Sequence, residues 1–138
     1  MEKTNPVFVY GTLRKGFGNH KYYLKGSPFI GTGKTVEKYA MYATSIPYVV
    51  QGEGLSRISG EVYRVDSETL DNLDSLEGHP DFYCREITEI EMDDGSIIRA
   101  WLYFYPETKG WLIESGDFKD NFSEFHNERE GADGSKTR

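Results

Sequence analysis

The chain has 138 residues, enough for one domain with a hydrophobic core and too few for two comfortable ones. Hydrophobic residues make up 37% and charged residues 28%, which is typical of a soluble globular protein rather than a disordered one. The net charge of −7 argues against nucleic acid or an anionic membrane surface as a partner. No apolar run approaches the roughly 20 residues that span a bilayer.

A single cysteine, Cys84, excludes an internal disulfide and a zinc site built from several thiolates. The first residues, MEKTNP, lead into a predicted strand and show no signal-peptide pattern. We therefore expect a cytoplasmic protein.

The first half of the chain predicts mostly short strands. Residues 6–10 (PVFVY) form an apolar run, which predicts a strand buried on both faces, and a polar glycine-rich loop follows at 12–18. Asn19 is predicted to cap a short helix that continues to Leu24. Glycines and prolines then separate three further predicted strands, near residues 31–43, 48–51 and 58–65.

The second half begins with a helix capped by Asp66 or Ser67. Residues 83–92 and 96–105 flank the sequence Asp-Asp-Gly, a strong signal for a β-hairpin, and residues 111–118 predict a further short strand or turn.

Strands with isolated helices predict an α+β fold whose sheet curls toward a barrel, with five to seven strands and one or two helices. We expect one domain over residues 1–122. The polar residues 123–138 predict a disordered tail.

The predicted helix contains an anomaly in the sequence LDNLDSLEG. At 100° per residue, Leu70, Leu73 and Leu76 form one apolar stripe, and Glu77 falls between the first two of them. One explanation is that the helix frays into solvent here, since Gly78 suits a C-terminal stop. The other is a glutamate placed against the core for a chemical purpose.

The GTGKT segment at residues 31–35 resembles the end of a phosphate-binding P-loop. That motif requires another glycine five residues before Gly33, and the chain has Pro28 there. A glycine-rich bend in a strand is the favoured interpretation.

A thiol hydrolase would need Cys84 as nucleophile, with His79 and Asp81 nearby in sequence. However, Cys84 opens a predicted strand, where a free cysteine is usually a small apolar filler. His20, His79 and His126 show no metal-ligand spacing, so the sequence predicts no metal site.

Two segments resemble a known family. FVYGTLRKG at residues 8–16 resembles the YGTLR loop of the γ-glutamylcyclotransferase-like superfamily, and LDSLEGHPDFYCR at 73–85 resembles its second signature. Their order and spacing also fit, as do the strand containing Trp101-Tyr103-Tyr105 and the SGDF segment at 115–118. The resemblance covers about residues 6–122.

This resemblance implies a small twisted mixed β-barrel with flanking helices. It also implies an enzyme that uses no cofactor and converts a γ-glutamyl amine or peptide to 5-oxoproline and a free amine. By the resemblance, Glu77 is the catalytic acid/base and Tyr83 lines the pocket. The residues expected to hold the glutamyl group are Tyr10, Gly11, Thr12 and Leu13.

The implied chemistry explains these residue types. A carboxylate can take a proton from the substrate's α-amine and return it to the leaving amine if its pKa lies near neutrality. The apolar stripe and the negative helix end would both raise the pKa of Glu77. In the loop, Gly11 allows close backbone approach and unusual φ/ψ values, and Thr12 adds a hydroxyl donor. Arg14 either adds charge at the rim or is simply solvated.

Tyr83 and Tyr105 are candidates for the pocket wall, and Arg85 is expected to form a structural ion pair. The segments after Gly16 and at residues 45–54 are expected to form the pocket mouth, although the sequence does not identify the leaving amine. We expect a monomer that binds a small γ-glutamyl substrate, and neither nucleic acid nor membrane. The main alternative is a binding module of the same fold that recognises a carboxylate-bearing ligand or a protein without turnover.

Overall fold

The computed structural model describes residues 4–11, 13–16 and 19–120, with only the backbone described at Lys21. These residues form seven β-strands and two α-helices. In chain order they are β1 (Thr4–Val9), α1 (His20–Tyr23), β2 (Phe29–Ala43), β3 (Pro47–Val50), β4 (Ser56–Asp66), α2 (Ser67–Glu77), β5 (Cys84–Met92), β6 (Ile97–Phe104) and β7 (Trp111–Ile113).

Five strands close into a barrel in the order β2-β4-β1-β6-β5, because β5 pairs back onto β2. β1 and β6 are parallel where Val7 faces Trp101, and the other neighbouring pairs are antiparallel. The short strands β3 and β7 both pair with the end of β2, between Ala40 and Ala43. The predicted α+β class, with a small mixed barrel and flanking helices, is therefore confirmed.

The barrel closes at the GTGKT segment, which lies within β2. The pairing of β2 with β4 shifts register between Phe29 and Gly31 and again between Lys34 and Lys38. A Cβ atom at Gly33 would lie 2.6 Å from the carbonyl oxygen of Glu91, so glycine lets β5 approach β2 closely. The strand-bend interpretation is confirmed, and the segment does not form a loop between a strand and a helix.

β1 contributes to two hydrophobic clusters, because successive strand side chains point to opposite faces. Phe8 packs with the residues inside the barrel, whereas Val7 and Val9 pack in a second cluster with Leu70 and Leu73 of α2. The prediction that this strand is buried on both faces is confirmed. The second cluster fixes α2 beside the end of β1.

The termini of α2 follow its sequence. The Asp66 side chain caps the helix by accepting the backbone N–H of Thr69 at 2.8 Å. Gly78 ends it in the left-handed conformation, with φ of +69°. Both features agree with the sequence prediction.

The prediction that the Asn19 side chain caps α1 is wrong, although α1 begins at the next residue. Asn19 has a helical backbone conformation (φ −85°, ψ −11°) and its side chain makes no capping hydrogen bond. A capping side chain usually needs an extended backbone at its own residue to reach the first free N–H groups.

The hairpin prediction is confirmed, since β5 and β6 pair antiparallel around a turn in which the Gly95 N–H donates to the Met92 carbonyl at 2.8 Å.

No helix among the described residues has the length and apolarity needed to cross a membrane. The predicted tail at 123–138 lies outside the described residues, and the single-domain boundary at residue 122 stays a prediction.

Candidate active site

A cavity of about 150 Å³ opens where β1 ends, beside the C-terminal end of α2. It brings together five predicted site residues from two separate segments of the sequence, Tyr10, Gly11 and Leu13 from the first and Glu77 and Tyr83 from the second. The complete set of lining residues is Phe8, Val9, Tyr10, Gly11, Leu13, Asn19, Ile46, Pro47, Leu76, Glu77, Tyr83 and Tyr103.

Glu77 is the last residue of α2 and lines this cavity, with its side chain partly buried. Leu70 and Leu73 are buried beneath the helix, as the stripe predicts. Leu76 differs from that prediction: it is 36% exposed and lines the cavity instead of joining the core. The end of α2 is ordered by the Gly78 conformation and does not fray, so the chemical explanation of the anomaly is favoured.

The carboxyl group of Glu77 has an unusual environment. Burial disfavours its charged form and raises its pKa from 4.5 to about 7. Among the residues that the structure describes, its side chain has no hydrogen-bond or ion-pair partner to offset this effect. The group can therefore change protonation state near neutral pH.

The charge of Glu77 affects the pKa values of three tyrosines. The pKa values of Tyr10, Tyr83 and Tyr103 are all raised, chiefly by burial, and the nearby negative charge of Glu77 raises each of them further. All three side chains also line the cavity. The phenols stay protonated at neutral pH, so they line the same cavity as Glu77 without adding charge.

The predicted substrate loop begins at the end of β1. Tyr10 is buried, and its hydroxyl donates to the Tyr103 carbonyl at 2.6 Å, which joins β1 to β6 beneath the cavity. The Gly11 carbonyl accepts the Arg14 N–H at 3.0 Å, so residues 11–14 form a turn. Leu13 is also buried and lines the cavity, whereas Thr12 lies outside the described residues.

Of the two properties predicted for Gly11, the unusual φ/ψ values are wrong. It does not have the positive φ that favours glycine. Its requirement is steric, because a Cβ atom there would lie 2.6 Å from Cγ of Pro47. Glycine thus allows the loop to pack directly against the residue that begins β3.

Arg14 is neither at the rim nor solvated, contrary to both expectations. Its side chain is 7% exposed and does not line the cavity. The guanidinium pairs with Asp117 at 2.8 Å, and its Nε lies 3.9 Å from Glu61. Arg14 therefore fixes the loop to the barrel and leaves anion binding to other groups.

The two tyrosines predicted for the pocket wall, Tyr83 and Tyr105, differ in whether they line the cavity. Tyr83 lines the cavity, and its hydroxyl donates to the Pro47 carbonyl at 3.0 Å. Tyr105 packs behind it, with ring centroids 5.0 Å apart, and does not line the cavity. Tyr105 thus supports Tyr83 in the cavity wall. It also packs against Tyr48, with ring centroids 4.7 Å apart.

Asp74, one turn before Glu77, anchors the end of α2. Its carboxylate accepts hydrogen bonds from the Arg85 guanidinium at 2.8 and 3.1 Å and from the Tyr103 hydroxyl at 2.6 Å. The Arg85 guanidinium also lies over the Trp101 ring, 4.2 Å from its centroid. The expected structural ion pair of Arg85 is confirmed, and it connects the helix to β5 and β6.

The other chemical candidates lie away from the cavity. Cys84 begins β5, as predicted, and does not line the cavity. The Nδ1 atom of His79 accepts the Arg85 N–H at 3.2 Å, and Nδ1 of His20 lies 3.0 Å from the Leu13 carbonyl oxygen. Within the described part of the chain, no three His, Cys, Asp or Glu side chains are grouped to hold a metal ion. His126 lies outside that part.

Sequence reasoning missed several residues of the cavity wall. Ile46 and Pro47 follow β2 and line the cavity. They lie in the segment 45–54, which was expected to form the mouth, but neither was named individually. Tyr103 lines the cavity although Tyr105 was the predicted strand tyrosine. Tyr103 belongs to the Trp101-Tyr103-Tyr105 segment that the resemblance singled out, but nothing in the sequence indicated which of the two tyrosines reaches the cavity.

A cavity beside the barrel that is lined by a partly buried glutamate and by Gly11 is a candidate small-molecule site. Comparison with known proteins makes this assignment specific. A family model described as "Gamma-glutamyl cyclotransferase, AIG2-like" matches residues 7–120. The chain belongs to this family.

Several relatives support the match. A protein of Methanocaldococcus jannaschii, provisionally named a gamma-glutamylcyclotransferase, is 64% identical over 114 residues, covering 83% of this chain and 95% of the relative. A protein of Vibrio cholerae with the same provisional name is 44% identical, covering 81% and 93%.

Solved structures show the same fold. An uncharacterized protein from Pyrococcus horikoshii has a TM-score of 0.69 at 35% identity, with 89% of this chain and 97% of that chain covered. An AIG2-like protein from Mus musculus has a TM-score of 0.73 at 29% identity, with 83% and 87% covered. The resemblance drawn from the two sequence signatures is therefore confirmed at the level of family and fold.

Proposed function

We propose that this chain converts a small γ-glutamyl amine or peptide to 5-oxoproline and the free amine, with Glu77 as general acid and base. The observation that carries the proposal is the Glu77 carboxyl group, which lines the cavity with a pKa of about 7. Membership of the family supports the reaction class.

The reaction needs little more than positioning and proton transfer. The α-amine of the substrate attacks its own γ-carbonyl carbon, which closes a five-membered lactam ring, and the C–N bond to the leaving amine then breaks. Because the nucleophile is tethered, folding the substrate into an attack geometry can contribute on the order of 7 kcal/mol or more. The cavity, of about 150 Å³ and lined mostly by buried side chains, is suited to that task.

Glu77 supplies the proton transfer. As a carboxylate it removes the proton that the α-amine loses on forming the new C–N bond, and as a carboxylic acid it protonates the departing amine. A group with a pKa near the working pH serves both steps, since neither protonation state is costly to reach. The last turn of α2, anchored by Asp74, determines where this carboxyl group lies.

The turn at residues 11–14 is the proposed anchor for the substrate's α-carboxylate. The backbone N–H groups of Gly11 and Leu13 belong to this turn and follow the end of β1. Successive N–H groups in a turn can bind an anion. The hydroxyl of Thr12 remains a prediction from the sequence, and Arg14 is already paired with Asp117.

The test is a 5-oxoproline assay with a panel of γ-glutamyl amines and peptides. Glu77→Gln preserves the side-chain shape and removes the titrating group, so we expect kcat/KM to fall by at least about 10²–10⁴-fold. Glu68→Gln is the matched control, because Glu68 is exposed at the other end of the same helix and should leave the rate unchanged.

Three outcomes would contradict the proposal. Full activity in Glu77→Gln would remove Glu77 from the mechanism. Loss of activity in Cys84→Ala with Glu77→Gln unaffected would favour a thiol hydrolase. Binding of γ-glutamyl compounds with no turnover by the wild type would favour the binding-module alternative.

A further inference from the structure

We infer that a second groove, separate from the candidate active site, binds a phosphate monoester that carries a planar ring. The groove lies between the residues at 15–29 and β4, and Lys15, Lys25, Phe29 and Tyr63 are the lining residues that define it here as the lysine groove. Its volume of about 520 Å³ is within the roughly 300–1,000 Å³ usual for small-molecule sites. None of its lining residues lines the cavity at Glu77, so its occupant would be a different ligand.

Two lysines give the groove a positive charge, although the whole chain has a net charge of −7. Lys15 and Lys25 are both exposed. Among the residues that the structure describes, neither ammonium group has an ion-pair or hydrogen-bond partner, and no residue that lines the groove is acidic. A phosphate monoester carries about 1.5–2 negative charges at pH 7, which matches two cations.

Glu61 is an acid close to the lysine groove, but its carboxylate already has other partners. It accepts the backbone N–H of Lys15 at 2.9 Å and the hydroxyl of Tyr63 at 3.0 Å. It also lies 3.9 Å from Nε of Arg14, whose positive charge offsets its own. The ammonium groups of the two lysines therefore remain available to an anionic ligand.

Three rings form a row in the same groove. The Tyr63 ring lies 5.3 Å from the Phe29 ring and 5.3 Å from the His20 ring, centroid to centroid, with both pairs tilted. Tyr63 is buried, whereas Phe29 is 55% exposed, so Phe29 is a ring that a ligand can reach. Aromatic rings pack favourably in tilted or offset pairs. The row therefore favours a ligand with a planar ring beside its charged group.

The groove adjoins the turn at residues 11–14 from outside the cavity. A carbonyl oxygen can only accept, so Nδ1 of His20 donates to the Leu13 carbonyl at 3.0 Å. Lys15 follows the turn directly in sequence. A ligand in the groove would thus contact residues that hold the turn without entering the cavity that Leu13 lines. Binding in the groove can therefore be measured separately from turnover, and this inference does not depend on the proposed function.

Isothermal titration calorimetry of the full chain at low ionic strength tests the inference. The probes are phenyl phosphate and adenosine monophosphate, and inorganic phosphate and phenol represent the charge and the ring alone. We expect at least one probe to bind about fivefold or more tightly than either inorganic phosphate or phenol, because charge and ring contacts both contribute. The tighter probe identifies the preferred ring as aryl or nucleobase. Its binding should weaken as salt is added, since exposed charges are screened.

Three variants test the assignment of the groove. Lys15→Met and Lys25→Met each remove one charge and keep an unbranched side chain, so we expect each to weaken binding of the tighter probe about two- to fivefold. Phe29→Ala removes the exposed ring and should weaken it about two- to tenfold. Lys34→Met and Phe82→Ala are the matched controls, because both residues are exposed and neither lines the groove.

The place of binding is checked by backbone amide chemical shifts, which should change at Lys15, Lys25 and Phe29 when the tighter probe is added. Shifts centred on Glu77 would place the probe in the other cavity and overturn the inference. Tighter binding in Glu77→Gln at pH 8 would overturn it as well, since removing that negative charge helps only an anion bound beside it. No binding by either probe, or equal losses in Lys15→Met and Lys34→Met, would also overturn it, and none of these results alters the 5-oxoproline assay.

Discussion

The Arg14 guanidinium donates to the Asp117 carboxylate at 2.8 Å, although the two residues are 103 positions apart. The pair is largely shielded from solvent, with side-chain exposures of 7% and 26%. Glu61 lies close to the same guanidinium, and its carboxylate accepts the Lys15 N–H at 2.9 Å. These contacts attach the C-terminal side of the turn to β4, through Glu61, and to Asp117 after β7.

Removing the Arg14 charge should destabilise the fold. In Arg14→Met the carboxylates of Asp117 and Glu61 lose their partner within a shielded environment, so we expect the free energy of unfolding to fall by about 2–4 kcal/mol. Urea denaturation measures this change. Arg64→Met, at an exposed position of β4, should stay within about 0.5 kcal/mol of the wild type. Equal effects of the two substitutions would show that the Arg14 pair contributes little.

The rate should depend on pH through Glu77. Because the general base must be ionised and burial raises its pKa to about 7, kcat/KM should rise with pH with an apparent pKa of about 7. Steady-state rates between pH 5 and 9 measure this limb. The residual activity of Glu77→Gln should not show this rise with pH. A limb at pH 4–5 in the wild type would mean that Glu77 is not desolvated in solution.

The raised pKa of Glu77 also predicts that the stability of the fold depends on pH. Between pH 4.5 and about 7 the folded chain keeps a proton on Glu77 that the unfolded chain has lost, so the free energy of unfolding falls as pH rises through this window. A shift of this size corresponds to about 3 kcal/mol.

Glu77→Gln should therefore be more stable than the wild type at pH 8, by up to about 3 kcal/mol, with the difference vanishing near pH 4. Urea denaturation at both pH values gives the comparison, and Glu68→Gln should show no such dependence because Glu68 is exposed. A Glu77→Gln variant that is less stable than the wild type at pH 8 would contradict the desolvation of Glu77.

The contact between Gly11 and Pro47 predicts a steric effect that can be rescued. In Gly11→Ala the new methyl group would lie 2.6 Å from Cγ of Pro47, so we expect a loss of about 1–3 kcal/mol in stability and a lower kcat/KM. Pro47→Ala removes the obstructing ring atoms. The double variant should recover part of both losses, as a double-mutant cycle would show. Strictly additive effects would argue against a direct clash.

Local sequence patterns predicted most elements of the fold. Alternation and turn residues located the β5–β6 hairpin, and the Asp66 cap and Gly78 stop bounded α2 within a residue or two. Asn19 shows the limit of such reasoning, because a capping residue type does not fix the backbone conformation that capping requires.

The candidate site was predicted in part. The apolar stripe placed Glu77 toward the core, and the YGTL signature placed Tyr10 and Leu13 in the loop; all three line the cavity. Ile46 and Tyr103 were not predicted, since their positions depend on how β2 and β6 pair within the barrel. Arg14 was predicted wrongly because its partner lies 103 residues away.

Local patterns in the sequence located the strands and helices and the face of α2 on which Glu77 lies, because hydrophobic periodicity and capping act between residues close in the chain. The family was indicated separately, by the resemblance of two short signatures. Three further properties became visible only in the folded chain: Arg14 does not line the cavity, Gly11 packs against Pro47, and the Glu77 carboxyl group is desolvated. Those properties arise from contacts between segments that are distant in the chain, such as Arg14 with Asp117 and Gly11 with Pro47.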